Sequence, residues 1–205
     1  MLDGVMRRIV TPPLERMAGL VIRMGITADA ASLIGMGWAI ACGAATAAGW
    51  FWTALACLAM SRLADGIDGA IARKTRMTDF GGYLDIVCDF VFYTSVPLGF
   101  ALLDMGRCAV AASVLLASFY LNGASFLGFA ALAHKRGMDT DVRGPKSLYF
   151  TTGLTEGTET IAFFVICLLW PAMFPVFALV FAAMCMITFV SRILHASRVF
   201  VDDRS

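Results

Sequence analysis

Between Ala30 and Ser61 the chain carries no charged residue. A single helix over that run, at about 1.5 Å per residue, would far outreach a bilayer core of about 30 Å. The run therefore has to fold back, and Ala48-Gly49-Trp50 is the natural place, giving one span over about 30–48 and a second over about 51–73. A third apolar segment covers about 82–103 and a fourth about 108–133. From Ser147 to His195 a further apolar region is broken by Trp170-Pro171 and Pro175, which predicts two spans joined by a tight turn. Residues 1–25 mix scattered arginines with two prolines and hold no compact apolar core before a small-residue cleavage site. They are expected to be mature sequence, an amphipathic helix lying on the membrane surface.

Composition fixes the solvent. Of 205 residues, 60% are hydrophobic and 15% charged, too apolar for a water-soluble domain of this size. The expectation is an all-α integral membrane protein with six transmembrane helices and an N-terminal interfacial helix, in one domain over residues 1–205. Arg7, Arg8, Arg16 and Arg23 precede the first span, and Arg73, Lys74 and Arg76 follow the second. Lys135, Arg136, Arg143 and Lys146 follow the fourth, Arg198 and Arg204 close the chain, and only Arg107 lies on the other side. The positive-inside rule then puts both termini and the 74–81 and 134–146 loops in the cytoplasm, and an even span count agrees. A net charge of +1 gives a nucleic-acid partner no electrostatic support. The six cysteines are scattered singly in apolar runs and read as small hydrophobes.

Against this background four aspartates stand out. Asp65 and Asp68 lie in the stretch DGIDGAIAR at the end of the second span; Asp85 and Asp89 lie in the third. Spacings of three and four put each pair on one helix face. With a short loop between the spans, which are expected to be antiparallel neighbours, all four acids can converge on one cytoplasmic-side cavity. Ionised carboxylates are costly in lipid and repel one another when close, and Arg62 and Arg192 are the only bases within spans. A hard divalent cation, Mg²⁺ or Mn²⁺, one ion or two, suits an all-oxygen set without His or Cys. Gly66 and Gly69 leave room for a ligand or another backbone to approach, and Arg73 could reach a phosphate. On spacing alone, the ion pathway of a cation-coupled transporter remains a second reading.

The segment 65–89 resembles the signature of the CDP-alcohol phosphotransferases, also called CDP-alcohol phosphatidyltransferases. Its pattern, Asp-x-x-Asp-Gly-x-x-Ala-Arg followed by Gly-x-x-x-Asp-x-x-x-Asp, is matched by Asp65, Asp68, Gly69, Ala72, Arg73, Gly81, Asp85 and Asp89. The spacer from Lys74 to Phe80 is one residue shorter than usual in the family. Upstream, Ala28 and Asp29 stand where Pro and Asn are frequent, and Asp29 is expected to cap the first span, as Asp79 is expected to cap the third.

The resemblance implies a six-helix homodimer whose active site opens at the cytoplasmic face, in a bacterial inner membrane. It further implies transfer of a phosphatidyl group from a CDP-linked lipid donor, such as CDP-diacylglycerol, to a small alcohol acceptor with release of CMP. Under it, Asp65, Asp68, Asp85 and Asp89 bind metal, and Asp89 is also the catalytic base. Gly69, Ala72 and Arg73 line the cytidine-diphosphate pocket. The acceptor is open. Glu156 and Glu159, beside Gly153 and Gly157, could line an acceptor pocket or pair with Arg62 or Arg192 as packing. Arg143, Lys146, Arg192 and Arg198 could bind an acceptor phosphate or be ordinary positive-inside charge.

Overall fold

The computed structural model describes residues 3–138 and 157–200, with side chains in the first helix from Pro12 onward. Seven α-helices make up almost all of it: α1 (Asp3–Arg23), α2 (Ala28–Ala47), α3 (Phe51–Lys74), α4 (Asp79–Leu103), α5 (Met105–Lys135), α6 (Gly157–Leu169) and α7 (Phe174–Val199). No strand occurs among the described residues. The reversal expected at Ala48-Gly49-Trp50 is there: α2 ends at Ala47 and Gly49 turns the chain with φ of +78°, a conformation that glycine adopts without a Cβ penalty. The break near Pro171 is a single 3₁₀ turn, Pro171–Met173.

Among the described residues, four segments are long and apolar enough to cross a membrane: Ala28–Ala47, Asp79–Leu103, Met105–Lys135 and Pro171–Val199. Helix α3 matches them in length but holds Arg62, Asp65, Asp68, Arg73 and Lys74, and the described part of α6 is only 13 residues long. The predicted amphipathic segment is helical as α1, and its inner face, Leu14, Ala18, Val21 and Ile22, packs with Ile67, Ala70 and Ile71 of α3.

Two details differ from expectation. The cap of α2 is Thr27, whose hydroxyl accepts from Ala30 N, and that of α4 is Thr78, which accepts from Gly81 N. Asp29 and Asp79 instead occupy the first turns, where a carboxylate still complements the helix dipole. In addition, α3 and α4 do not run chiefly along each other: each packs along α2, which lies between them. The reason is in the small residues of α2. A Cβ built on Gly35 would meet Ala64 Cβ at 3.2 Å and Ser61 O at 3.4 Å. On the other face, Cβ atoms on Gly43 and Gly99 would meet Ser95 O at 2.6 Å and Gly43 O at 2.5 Å. Such backbone proximity is how helices associate without a hydrophobic drive between them.

The remaining helices complete one core. α5 pairs with α7 and borders α4. Phe100 of α4 stacks on Phe174 of α7 at 4.1 Å, Phe163 of α6 on Phe181 of α7 at 4.2 Å, and Phe92 meets Phe164 edge-on at 5.4 Å. All six cysteines are buried and unbridged, as small hydrophobes are. Trp50, Trp52 and Trp170 are exposed at the end of the bundle opposite the acid cluster, a placement suited to a lipid headgroup zone. Arg107 ties that end together by donating to Ala172 O.

The α2–α4 contact yields a prediction. Gly43→Ala and Gly99→Ala each force a methyl group onto backbone and should destabilise by about 1–3 kcal/mol, lowering the midpoint of thermal unfolding in detergent. Gly37→Ala, where nothing lies within 4 Å, should leave that midpoint unchanged or raise it.

Candidate active site

The basic end of the bundle is where the acids gather. Oxygens of Asp65, Asp68 and Asp85 all lie within 4.8 Å of one another. Asp68 is buried, Asp65 half-buried and Asp85 exposed, so the group runs from the interior of the bundle to its surface. Helix α2 supplies the floor: Ser32 Oγ donates to Asp68 Oδ2 at 2.5 Å, and Cys88 Sγ on α4 donates to Ser32 O at 3.6 Å. One short polar residue on the central helix thus touches both acid-bearing helices.

The fourth acid stands differently. Asp89 Oδ1 accepts from Arg62 Nη1 at 3.0 Å, and the same nitrogen lies 3.6 Å from Asp65 Oδ1. The guanidinium lies over the Phe92 ring, its carbon 3.8 Å from the centroid, and donates through Nη2 to Ser61 Oγ at 3.2 Å. Arg62, which the sequence offered as a partner for Glu156 or Glu159, turns to Asp89 and Asp65. Its helical spacing of three from Asp65 was the signal available. Ser32 offered less: it is the single hydroxyl side chain between Thr27 and Thr46.

The residues that the resemblance assigns to a nucleotide pocket, Gly69, Ala72 and Arg73, are also at this end. Arg73 folds back over Gly69, since a Cβ there would lie 3.3 Å from its terminal nitrogen; Ala72 is half-buried beside them. Gly66 has another use. A Cβ on it would sit 2.6 Å from Leu14 Cδ1, so α1 fills that notch, and Lys74 Nζ donates to Glu15 O beside it. Arg192 is spent elsewhere, on Asn122 O, Asn122 Oδ1 and Ser125 Oγ, at 2.8–2.9 Å, where it clamps α7 to α5. Glu159 lies in the first turn of α6. Gly153, Glu156, Arg143 and Lys146 lie outside the described residues.

The donor set fits a hard divalent cation. Such ions hold oxygens at roughly 2.0–2.6 Å, so ligands on opposite sides lie about 4–5 Å apart, and the three carboxylates span no more than that. A carboxylate cage of this kind, at the end of an apolar helical bundle with a guanidinium on a glycine face beside it, suits a divalent cation. The CDP-alcohol phosphatidyltransferase family model matches residues 25–194, and the chain belongs to that family.

Individual relatives agree. The inner membrane protein YnjF of Escherichia coli K12 is 42% identical over 193 residues, 94% of each chain. The archaetidylinositol phosphate synthase of Methanothermobacter thermautotrophicus is 40% identical over 86 residues, 42% of this chain and 40% of that one. Among solved structures, the phosphatidylinositol phosphate synthase PgsA1 of Mycobacterium tuberculosis with CDP-DAG bound shares the fold, with a TM-score of 0.67 at 23% identity over 88% of this chain and 91% of that one. The same enzyme with manganese and citrate gives a TM-score of 0.67 at 22% identity, over 88% and 87%.

Because Ser32 orients Asp68, Ser32→Ala should weaken divalent binding by about tenfold, the lower end of what loss of an outer hydrogen bond to a ligand costs. Titration with Mn²⁺ of the purified variant against the parent protein measures it.

Proposed function

We propose that this protein transfers a phosphatidyl group from a CDP-linked lipid, CDP-diacylglycerol in the first instance, to the hydroxyl of a small polar alcohol, releasing CMP. The observation that carries the reading is the convergence of Asp65, Asp68 and Asp85 within 4.8 Å, with Asp89 held alongside by Arg62. Asp65, Asp68 and Asp85 would hold Mg²⁺ or Mn²⁺, with Asp89 able to add to them; the ion's contribution is to neutralise the donor's pyrophosphate and the charge that grows on the departing CMP.

The chain's own groups do the rest. Arg73 lies where it can meet the donor's phosphates, and Gly69 and Ala72 leave room for the nucleotide beneath it. Asp89 takes the proton from the acceptor hydroxyl. The alcohol oxygen forms a bond to the phosphorus that bears the lipid, the bond from that phosphorus to the bridging oxygen breaks, and CMP leaves with the electron pair. The lipid chains stay in the bilayer while the headgroup reaches the polar end of the bundle.

The architecture that suits this chemistry has six spans, α2 to α7, with α3 and α6 crossing beside the four more apolar segments. Helix α1 lies along the membrane surface, and residues 1–205 act as one domain. Both termini and the acid cluster face the cytoplasm of a bacterial inner membrane, as the basic ends of α1, α3, α5 and α7 favour, and the working unit is a homodimer. For the acceptor, two of the relatives named above are synthases of inositol phosphate lipids, which makes an inositol phosphate the first to try.

The test is CMP release by the purified protein in lipid micelles containing CDP-diacylglycerol and Mg²⁺, with inositol phosphate, glycerol 3-phosphate, inositol, serine and choline offered separately. Release is expected to require both the metal and one acceptor; no release with any acceptor, together with no nucleotide binding, would overturn the reading. Asp89→Asn should cut transfer by at least about 100-fold, within the range of general-base catalysis, while its thermal unfolding stays close to that of the parent protein. Near-parental turnover in that variant would remove Asp89 from the proton transfer.

A further inference from the structure

Asp65 and Asp68 share one turn of α3, and that turn has no side chain of its own at Gly66 and Gly69. Glycine is, after proline, the poorest helix former, so the turn takes its shape from what packs on it. Two neighbouring helices do so. From α2, a Cβ on Gly35 would lie 3.7 Å from Asp65 N, and Ser32 Oγ donates to Asp68. From α1, Leu14 fills the notch at Gly66, where a Cβ would lie 2.6 Å from Leu14 Cδ1 and 3.2 Å from Cδ2. We infer that Leu14 is a positioning residue for the metal centre: by filling this notch it sets the turn on which Asp65 and Asp68 are presented to the ion. The inference rests on the metal-dependent transfer proposed above and deepens it.

Helix α1 is built for this contact. Its chief partner is α3, and its inner face is one apolar stripe at helical spacing, Leu14, Ala18, Val21 and Ile22, packed with Ile67, Ala70 and Ile71. Ile67 stands between the two acids and is buried, so the cluster that seats α1 reaches into the ligand turn itself. The next residue of α1 makes a second tie, where Lys74 Nζ donates to Glu15 O. Leu14 and Glu15 therefore bracket α3 from Gly66 to Lys74, the segment that holds Asp68, Gly69, Ala72 and Arg73. Misplacing such a segment by about 1 Å is enough to spoil a reacting geometry. Leu14 acts through the backbone of α3, and its loss is felt at the ligands as a change in affinity for the ion.

Affinity for Mn²⁺, read apart from turnover, tests it. The purified parent protein in micelles is titrated with Mn²⁺ while the free ion is followed by electron paramagnetic resonance, beside Leu14→Ala, Leu14→Met and Val21→Ala. Leu14→Ala, which empties the notch, should weaken binding by about three- to tenfold, up to the loss that removing an outer support of a ligand brings. Leu14→Met, whose flexible side chain can refill the notch, should restore the affinity; a Met variant as weak as the Ala variant overturns the inference. Val21 lies on the same face about two turns along, so Val21→Ala should lower the midpoint of thermal unfolding and keep the parent affinity. Parent affinity in Leu14→Ala overturns the inference and leaves the metal centre intact. So does an equal loss in Val21→Ala, which would make α1 a general support with no particular role for Leu14. No Mn²⁺ binding by the parent protein overturns the metal-dependent reading as well. If Leu14→Ala fails to fold, Gly66→Ala decides: its methyl group must displace Leu14, so weaker binding is expected and parent affinity overturns the inference.

Discussion

Burying carboxylates in an apolar bundle is the constraint to which the rest of this structure answers. The acids on the inner side lose water when the helices close, and the like charges repel. Among the described residues, relief comes from the Ser32 hydroxyl at Asp68 and the Arg62 guanidinium at Asp89 and Asp65, and the cluster opens to the surface at Asp85. The first two depend on helix positions fixed far from the acids. Ser32 reaches Asp68 only because α2 lies against α3 at Gly35, and α4 carries Asp85 and Asp89 to the same place because Gly43 and Gly99 let the backbones of α2 and α4 touch. The glycines near the middle of the bundle and the chemistry at its end are therefore one design.

The same logic links the site to the aromatic core. Arg62 lies on Phe92, Phe92 meets Phe164 of α6, and Phe163 stacks on Phe181 of α7. Through these rings the cation that holds Asp89 is braced by helices that carry none of the four acids. A shift of α6 would be felt at Asp89 before it reached Asp68, whose support comes from α2.

Much of this was legible in the sequence, and what was not has a common cause. The helix boundaries followed from charge-free length and from Gly49 and Pro171, because a long apolar run has to fold back and a turn needs a residue to make it. The acids followed from helical spacing and from the pattern that ends in Asp89. Contacts between elements did not follow. Thr27 and Thr78 cap where Asp29 and Asp79 were expected, since a preference for acids and hydroxyls at helix starts does not choose between neighbours. The short loop between α3 and α4 suggested direct pairing, but small residues on two faces of α2 let that helix come between them. Gly66 looked like room for a ligand and is filled by Leu14 of α1, a partner some fifty residues away that no local spacing could reveal.

The charges on α3 have a consequence for how the protein is made. A segment bearing Arg62, Asp65, Asp68, Arg73 and Lys74 partitions poorly into lipid by itself, whereas α2 before it and α4 after it enter readily. Arg62 and Asp65 can offset one another within the nascent helix, but Asp89 and Phe92, which complete the setting of Arg62, leave the ribosome 27 and 30 residues after it. On the six-span reading, α3 cannot settle at its final depth until α4 has been synthesised and has closed on α2. Threading into the membrane and assembly of the reaction centre would then be a single step of biosynthesis, with α3 as its last-seated piece.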